Sequence, residues 1–151
     1  MIYEWSRDDD FISTDPQKLD LDVIHTFLSA SYWAKGISRE IIQKSIEHSL
    51  VFGVYHINRQ VGFARMITDY ATFSYLADVF ILEEMRGRGL GSWLIECIVQ
   101  CPEIQGQRLW ALFTRDAHWL YEKNGFIKDD TERAKRLMTH PFSNVYKQAH
   151  E

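Results

Sequence analysis

The sequence predicts a mixed α+β fold, in which a mostly antiparallel sheet of about six or seven strands is flanked by about four helices. Three short apolar runs follow one another between residues 51 and 82 with only brief polar links, as neighbouring antiparallel strands do. Helical apolar spacing appears twice before these runs and once directly after a glycine-rich turn. At 151 residues, with 46% hydrophobic and 25% charged residues, the chain fits a single domain over 1–151.

The first third of the chain is predicted to contain one short strand and two helices. Residues 2–5 and 11–13 have weak strand character on either side of an acidic turn, and one N-terminal strand is expected. Apolar residues at helical spacing begin at Leu21. Gly36 breaks the chain, and Ser38 can then cap a second helix through its hydroxyl. Two helices therefore precede the long strands.

The middle of the chain predicts a hairpin, a third strand and a helix. Residues 51–57 and 61–67 are joined by a link short enough for a hairpin turn, and 73–82 form the next strand-like run. After the glycine-rich turn, apolar residues three and four apart indicate an amphipathic helix that Pro102 ends. One strand, turn and helix unit is thus inserted into an otherwise antiparallel pattern.

The C-terminal part predicts three further strands and one short helix. Residues 108–113 form the first strand, and Asp116 can cap a helix that runs to Asn124, with Gly125 as a left-handed C-terminal cap. Residues 126–128 and 135–138 are expected to close the chain as strands.

Composition limits the classes of partner and the compartment. The net charge of −4 and the dispersed basic residues argue against a nucleic-acid binder. No segment has the pattern of a signal peptide or the length of a membrane span, so we expect a cytoplasmic protein with no membrane partner. Cys97 and Cys101 lie one helical turn apart on an apolar face, which favours buried free thiols over a disulfide or a metal pair.

The turn before the third helix has the composition of an anion-binding loop. Residues 86–91 read RGRGLG, so glycines at alternate positions allow the backbone to approach an anion and point several N–H groups at it. The helix that follows adds the positive end of its dipole. A tight strand-to-helix turn without a ligand is the alternative. The loop lacks the Lys and Ser/Thr of a GxxxxGK[ST] motif, and no acidic residue closes a later strand to hold a ribose.

Two motifs together resemble one family. Arg86, Gly89 and Gly91 match the Arg/Gln-x-x-Gly-x-Gly/Ala signature of the GNAT superfamily of N-acetyltransferases. Ala117 and the run LYEKNGF at 120–126 are similar to the second hallmark of that family, at its usual separation from the first. The predicted order of elements is similar to the GNAT fold across nearly the whole chain.

The resemblance implies acetyl-coenzyme A as cosubstrate, with no metal, in a V-shaped split between the strands that end at Ile81 and Phe113. Main-chain groups of the first strand would pair with the pantetheine arm, and loop amides would hold the pyrophosphate. The family usually has Asn where this chain has Thr114, whose hydroxyl can also form a hydrogen bond with the pantetheine. The implied cofactor-binding residues are Val79, Phe80, Ile81, Arg86, Gly87, Arg88, Gly89, Leu90, Gly91, Ser92, Thr114 and Lys123.

Three residues are candidates for the chemistry. Tyr121 falls on the general-acid tyrosine of the family, and a phenol with a pKa near ~10 can donate a proton to a departing thiolate at neutral pH. Asp78 is the first candidate for the base that deprotonates an amine, although a half-buried carboxylate there could instead pair with a positive side chain. Tyr75 could relay a proton or order a water molecule.

The acceptor side is predicted from aromatic and acidic side chains. Trp33 could bind an amine by a cation–π contact, and Asp69 or Asp116 could add negative charge. The resulting hypothesis is direct transfer of an acetyl group to a primary amine, on a small molecule or a peptide, in a ternary complex. The alternative is a non-catalytic module that binds or senses acyl-coenzyme A. Both a monomer and a homodimer are compatible with the sequence.

Overall fold

A computed structural model describes residues 1–146 of the chain. Within these residues it contains six strands and four α-helices. In chain order they are β1 (Glu4–Arg7), β2 (Asp10–Ser13), α1 (Leu21–Ala30), α2 (Arg39–Glu47), β3 (Leu50–His56), β4 (Arg59–Thr68), β5 (Phe73–Ile81), α3 (Leu90–Gln100), β6 (Leu109–Ala111) and α4 (His118–Glu122).

The six strands form one sheet in chain order, and its last pair opens into a split. Every neighbouring pair is antiparallel except β5 and β6, which run parallel. These two strands pair only from Phe73 to Tyr75 on β5 and along β6, while β5 continues to Ile81. The remaining length of β5 therefore has no neighbour on that side among the described residues. The predicted mixed fold with a V-shaped split is confirmed.

Helices cover both faces of the sheet and bury two apolar clusters. The larger cluster joins α3, through residues such as Leu94 and Ile98, to Phe52 and Met66 of the sheet. The smaller cluster joins α1 and α2 to Phe63 and other residues on the opposite face. Apolar residues at helical spacing on these three helices supply the contacts, as the sequence predicted.

The N-terminal region differs from prediction by one strand. Residues 4–7 and 10–13 form two strands of a hairpin instead of a single strand. Asp8 makes this possible because it adopts a left-handed φ of 55°, a conformation that Asp tolerates in turns. The predicted start of α2 is confirmed, since the Ser38 hydroxyl accepts the Ile41 amide.

The predicted cap of α4 was wrong. The helix begins at His118, and the Asp116 side chain makes no capping hydrogen bond. The Thr114 hydroxyl instead accepts the Ala117 amide at 3.0 Å, which turns the chain into the helix. Gly125 follows the helix with φ 95°, as predicted for a left-handed cap.

The two predicted C-terminal strands were also wrong. Residues 126–128 carry no strand pairing, and Ala134–Arg136 form a short 3₁₀ turn where the last strand was expected. Apolar residues in this region are separated by charged ones, and a strand forms only where a neighbouring edge accepts it. Among the described residues, β6 is left as the edge of the sheet.

Candidate functional site

The glycine loop between β5 and α3 has the geometry of an anion seat. Gly87 and Gly89 have left-handed φ values of 79° and 80°, which side chains other than glycine adopt only with strain. Gly89 is the N-cap of α3 and no side chain caps that helix end. Within residues 1–146, none of the amides of residues 87–92 donates to a main-chain carbonyl. These N–H groups are free for a ligand.

The predicted basic residues differ in whether their side chains already contact another group of the chain. Arg86 is folded back, because its Nε donates to the Ile81 carbonyl at 3.0 Å. Arg88 is exposed and forms no ion pair among the described residues. The ammonium of Lys123 lies 5.0 Å from the centre of the Trp119 ring. Arg86 thus fixes the loop against β5, while Arg88 stays available for phosphate charge.

Arg7 is a residue at this loop that the sequence did not point to. Its guanidinium lies over the Trp93 ring of α3, 4.6 Å from the ring centre. Its Nη2 is 3.8 Å from the position a Cβ atom would take on Gly89. Sequence patterns do not indicate this contact, because β1 is far from the loop in the chain and only the folded sheet brings the two together.

A bulge shapes β5 beside the split. The register of β4 and β5 passes from Phe63 opposite Phe80 to Arg65 opposite Ala77, so β5 contains one extra residue there. Asp78 lies in this bulge with a left-handed φ of 57°. Bulges bend a strand and redirect its side chains, and this bulge lies shortly after Tyr75, where β5 stops pairing with β6.

The three predicted pantetheine-binding residues point in different directions. Phe80 pairs with Phe63 of β4, and its ring is buried and stacked on Phe27 at 4.1 Å. The Ile81 carbonyl accepts Arg86 and so points away from β4. Val79 is partly buried against the larger cluster. Of the three, Ile81 is the residue whose main-chain carbonyl is shown to bond on the side away from β4, where Arg86 occupies it.

Tyr121 lies across the split on α4. Its side chain is buried and packs edge to face on Phe126, with 5.9 Å between ring centres. Burial, with a smaller contribution from Tyr32, raises the pKa of Tyr121 to about 12. The hydroxyl has no hydrogen-bond partner among residues 1–146, and the side chain lines a groove together with Thr114. A protonated phenol with a free O–H therefore stands at the site.

Asp78 already uses both carboxylate oxygens. Its Oδ2 accepts Arg65 Nε at 2.6 Å, and its Oδ1 accepts Trp33 Nε1 at 2.9 Å. The ion pair is shielded, with exposed side-chain fractions of 17% for Arg65 and 9% for Asp78. Arg65 also donates to the Ser49 hydroxyl at 3.2 Å. The structure thus brings two predicted site residues together, and it contains the ion pair that was the alternative to a base.

Tyr75 is brought to the place where β5 and β6 separate. Its ring centre lies 6.0 Å from that of Phe113, the residue that closes the opposite wall. Burial and then the charge of Asp78 raise the pKa of Tyr75. Its phenol is consequently protonated at neutral pH and is suited to donate a hydrogen bond.

Asp69 is placed in the turn between β4 and β5. Its carboxylate accepts the hydroxyl and the amide of Thr72 and the amides of Ala71 and Phe73. These bonds, led by the Thr72 hydroxyl, hold the pKa of Asp69 well below its ordinary value. The Asp69 carboxylate therefore stabilises this turn through hydrogen bonds.

Asp116 is not brought to the wall of the split. Its carboxylate is 72% exposed and lies 3.9 Å from Arg115. The guanidinium of Arg115 stacks on Tyr32 at 3.8 Å from the ring centre, which links the segment after β6 to the segment after α1. Arg115 and Tyr32 thus connect these two segments, whereas the Asp116 carboxylate extends into solvent.

The two cysteines lie in the core. Cys97 and Cys101 are free and buried on α3, and burial raises the pKa of the Cys97 thiol to about 12. A thiol that stays protonated is a poor nucleophile, so neither cysteine is suited to carry an acyl group.

Neither a cluster of metal ligands nor a membrane-spanning helix occurs among residues 1–146. No group of three or more His, Cys, Asp or Glu side chains there is arranged to hold a metal ion. No helix of this part of the chain has the length and apolar character needed to cross a membrane.

The open edge of β5, the free amides of the loop and the buried tyrosine define a class of protein that binds an extended ligand with a phosphate group at one end. Comparison with known families identifies that class. The family described as "Acetyltransferase (GNAT) domain" matches residues 47–128. The chain belongs to the GNAT acetyltransferase family and is an acyltransferase.

Individual relatives agree with this assignment. A protein of Gibberella zeae named as a candidate acetyltransferase, FG08082, is 34% identical over 85% of this chain and 84% of its own length. A crystal structure of a candidate GNAT acetyltransferase from Xanthomonas campestris is 43% identical, with a TM-score of 0.86 over 92% of this chain and 97% of that one. A candidate acetyltransferase from Clostridium acetobutylicum, crystallised with acetyl-CoA, shares the fold at 12% identity, with a TM-score of 0.59 over 86% and 92% of the two chains.

Proposed function

We propose that this acetyltransferase moves the acetyl group of acetyl-CoA onto a primary amine by direct attack within a ternary complex. The observation that carries the proposal is the free hydroxyl of Tyr121, buried across the split from the loop whose amides are unpaired. An anion-binding loop alone would also fit a non-catalytic module that binds acyl-coenzyme A. A protonated phenol with no internal partner is what a thiolate leaving group requires.

The residues present fit the cofactor. Amides of residues 87–92 and the dipole of α3 match a pyrophosphate, and Arg88 and Arg7 add positive charge at the same loop. The main chain of Ile81 and its neighbours on β5 matches an extended amide-bearing arm. When bound there, acetyl-CoA supplies an activated acetyl thioester.

Tyr121 serves as the acid in the proposed step. The amine forms a C–N bond to the acetyl carbon while the C–S bond breaks, and the Tyr121 hydroxyl gives its proton to the departing sulfur. The proton released by the amine passes to solvent, and the Tyr121 phenolate takes a proton back from solvent. The pKa of about 12 keeps this phenol protonated at neutral pH before each turnover.

Asp78 is proposed as a positioning residue. Its oxygens hold Arg65 and Trp33, so it ties the β5 bulge to the segment after α1. Tyr75 stays protonated and serves as a donor beside the bulge. We therefore propose that water accepts the amine proton.

The acceptor side favours an amine with an apolar or aromatic neighbour. Tyr32, Trp33 and Phe113 are 53%, 42% and 70% exposed, an unusual concentration of open rings around one split. Aromatic faces attract cations and pack on apolar stems. Small amines and peptide amines both meet this description.

The test measures thiol release from acetyl-CoA with a panel of amines that covers alkylamines, arylalkylamines, amino acids and peptides. The expected result is release that depends on the amine, with an equal amount of N-acetylated product by mass spectrometry. Calorimetry of acetyl-CoA binding accompanies it. Tight binding without transfer to any amine would favour the non-catalytic module, and absence of binding would refute the cofactor assignment.

A further inference from the structure

Arg7 is an arginine that the fold of β1 places beside the glycine loop. Side chains alternate between the two faces of a strand, so Arg7 shares a face with Trp5. Trp5 stacks near Phe52, with 6.3 Å between ring centres, at the larger apolar cluster that α3 covers. Arg7 therefore lies on the α3 face of the sheet, at the end of β1 that reaches the first turn of this helix.

The guanidinium of Arg7 is held by a ring and not by a carboxylate. It lies 4.6 Å from the ring centre of Trp93, whose side chain is buried. The residue opposite Arg7 in the hairpin is Asp10, but the Asp10 carboxylate bonds His56 Nδ1 at 2.8 Å. Within residues 1–146, Arg7 forms no ion pair. Stacking leaves the N–H edge of a guanidinium free, and this edge binds a phosphate through two parallel hydrogen bonds.

The order of the strands places Arg7 on the side of the loop that is away from the split. Among the described residues β1 and β6 are the two edges of the sheet, and the split opens between β5 and β6. In the proposed function, the pantetheine arm follows β5 and the loop amides hold the pyrophosphate. The nucleotide end of the ligand would then leave the loop on the β1 side. Arg7 Nη2 lies there, 3.8 Å from the position of a Cβ atom on Gly89.

We propose that Arg7 binds the 3′-phosphate of coenzyme A and so distinguishes this ligand from analogues that lack the 3′-phosphate, an inference that rests on the proposed function because it concerns the same ligand. A phosphate monoester carries a charge of about −1.5 to −2 at pH 7, more than either phosphate of the pyrophosphate bridge. Main-chain amides suit the bridge. The monoester is matched best by a planar and always charged guanidinium that is already held in place.

Arg88 provides a comparison at the same loop. It stands between the two left-handed glycines, is exposed and forms no ion pair within the part of the chain that the structure describes. It thus belongs to the segment that is proposed to hold the pyrophosphate, which analogues without the 3′-phosphate retain. The two arginines divide the phosphates of the ligand, because Arg88 acts on the bridge and Arg7 acts on the terminal monoester.

Calorimetry of coenzyme A and of 3′-dephospho-coenzyme A, without an amine acceptor, tests the proposal. The unchanged chain should bind coenzyme A about tenfold more tightly, as expected for one charge-assisted contact. In Arg7→Gln this ratio of affinities should fall to about one, because only coenzyme A loses a contact. Arg88→Gln should weaken both ligands and keep the ratio. The control Arg39→Gln removes an equal charge from an exposed ion pair on α2 and should leave both affinities unchanged.

The ratio of affinities separates a phosphate contact from a structural role. If Arg7 only packs on Trp93 and supports the loop, Arg7→Gln should weaken both ligands by the same factor, which would overturn the proposal. A ratio that falls in Arg88→Gln and not in Arg7→Gln would also overturn it. Arg7→Lys keeps the charge without the planar fork and should retain part of the ratio, an order of variants that a structural arginine does not predict.

The same measurements distinguish this inference from the proposed function. Circular dichroism checks that the Arg7 variants are folded, which we expect because Arg7 is exposed at the end of an edge strand. Equal affinity of the unchanged chain for the two ligands would refute the role of Arg7 alone. Absence of binding of either ligand to the unchanged chain would refute the cofactor assignment, and this inference with it.

Discussion

The two strands that border the split are built very differently. β5 has nine residues, is paired with β4 along its length and leads directly into the glycine loop and α3. β6 has three residues and one described partner. The cofactor side of the site is therefore fixed by the sheet itself. The opposite side, which holds Tyr121, depends on helix packing, so the two walls should respond differently to mutation.

Removal of the Tyr121 hydroxyl is expected to have the largest effect. Tyr121→Phe should lower kcat about 100-fold, because loss of a general acid typically costs two or more orders of magnitude. Acetyl-CoA affinity should change less than about twofold, since the residues proposed to bind it lie mainly on β5 and the glycine loop. Steady-state kinetics and calorimetry measure the two quantities. Tyr70→Phe, in the turn between β4 and β5, is the control and should leave both unchanged. Unaltered turnover in Tyr121→Phe would remove the acid role.

Loss of the Asp78 charge should lower the stability of the fold and should leave the pH dependence of kcat/KM nearly unchanged. Asp78→Asn should lower the free energy of unfolding by about 2 kcal/mol, because it leaves Arg65 shielded from water without its ionic partner. The matched control is Asp22→Asn, which breaks the exposed Arg39–Asp22 pair and should cost less than about 0.5 kcal/mol.

Urea unfolding measures both Asp78→Asn and its control. The decrease of kcat/KM at acidic pH should be the same in Asp78→Asn as in the unchanged protein. If that decrease disappears while stability is unchanged, Asp78 is the base and the positioning role is wrong.

The glycine loop allows a matched comparison of two glycines. Gly89 and Gly106 have φ values of 80° and 76°, so alanine at either position should destabilise the fold by a similar amount, about 1 kcal/mol. Only Gly89→Ala disturbs the N-terminus of α3, and it should weaken acetyl-CoA binding about tenfold. Calorimetry of both variants checks this. Equal affinity in the two variants would mean that the loop does not hold the cofactor phosphates.

The titration of Tyr121 should give the smallest effect. Its pKa is raised from the ordinary 10.0 to about 12 by burial, so the folded state holds this proton more tightly than the unfolded state. The resulting stabilisation is fully present below pH 10 and is lost as pH rises through 12. Ultraviolet titration of phenolate in the native chain and in Tyr121→Phe isolates this residue. Titration at its ordinary pKa would show that the hydroxyl is exposed to water.

The difference between the two walls also explains what the sequence could predict. Local patterns sufficed for β5, the loop and α3, because the strand run, the alternating glycines and the helical spacing are contiguous in the chain. The bond from Trp33 to Asp78 spans 45 residues, and it forms because a bulge in β5 turns the carboxylate toward the segment after α1. No local pattern indicates such a bulge.

Apart from the N-terminal hairpin, the errors fall in the region beyond β6. Asp116 was predicted to cap α4, but the side-chain hydrogen bond just before the helix is the one that the Thr114 hydroxyl accepts from the Ala117 amide. Thr and Asp both accept such bonds, so only tertiary packing decides between them. Strand character at 126–128 and 135–138 depends on a neighbouring edge, and strands of this length have little preference of their own. Arg7 reaches the cofactor loop from β1, a contact that depends on the sheet order.

The most direct test of the account varies acetyl-CoA and a reactive amine together and follows initial rates. Direct transfer requires both substrates to be bound at once, so double-reciprocal lines should intersect. We expect no acetylated cysteine as an intermediate, because Cys97 and Cys101 are buried and burial raises the pKa of the Cys97 thiol to about 12. Intact mass spectrometry with acetyl-CoA alone should show no acetylated protein. Parallel lines together with an acetylated chain would contradict direct transfer and the acid role assigned to Tyr121.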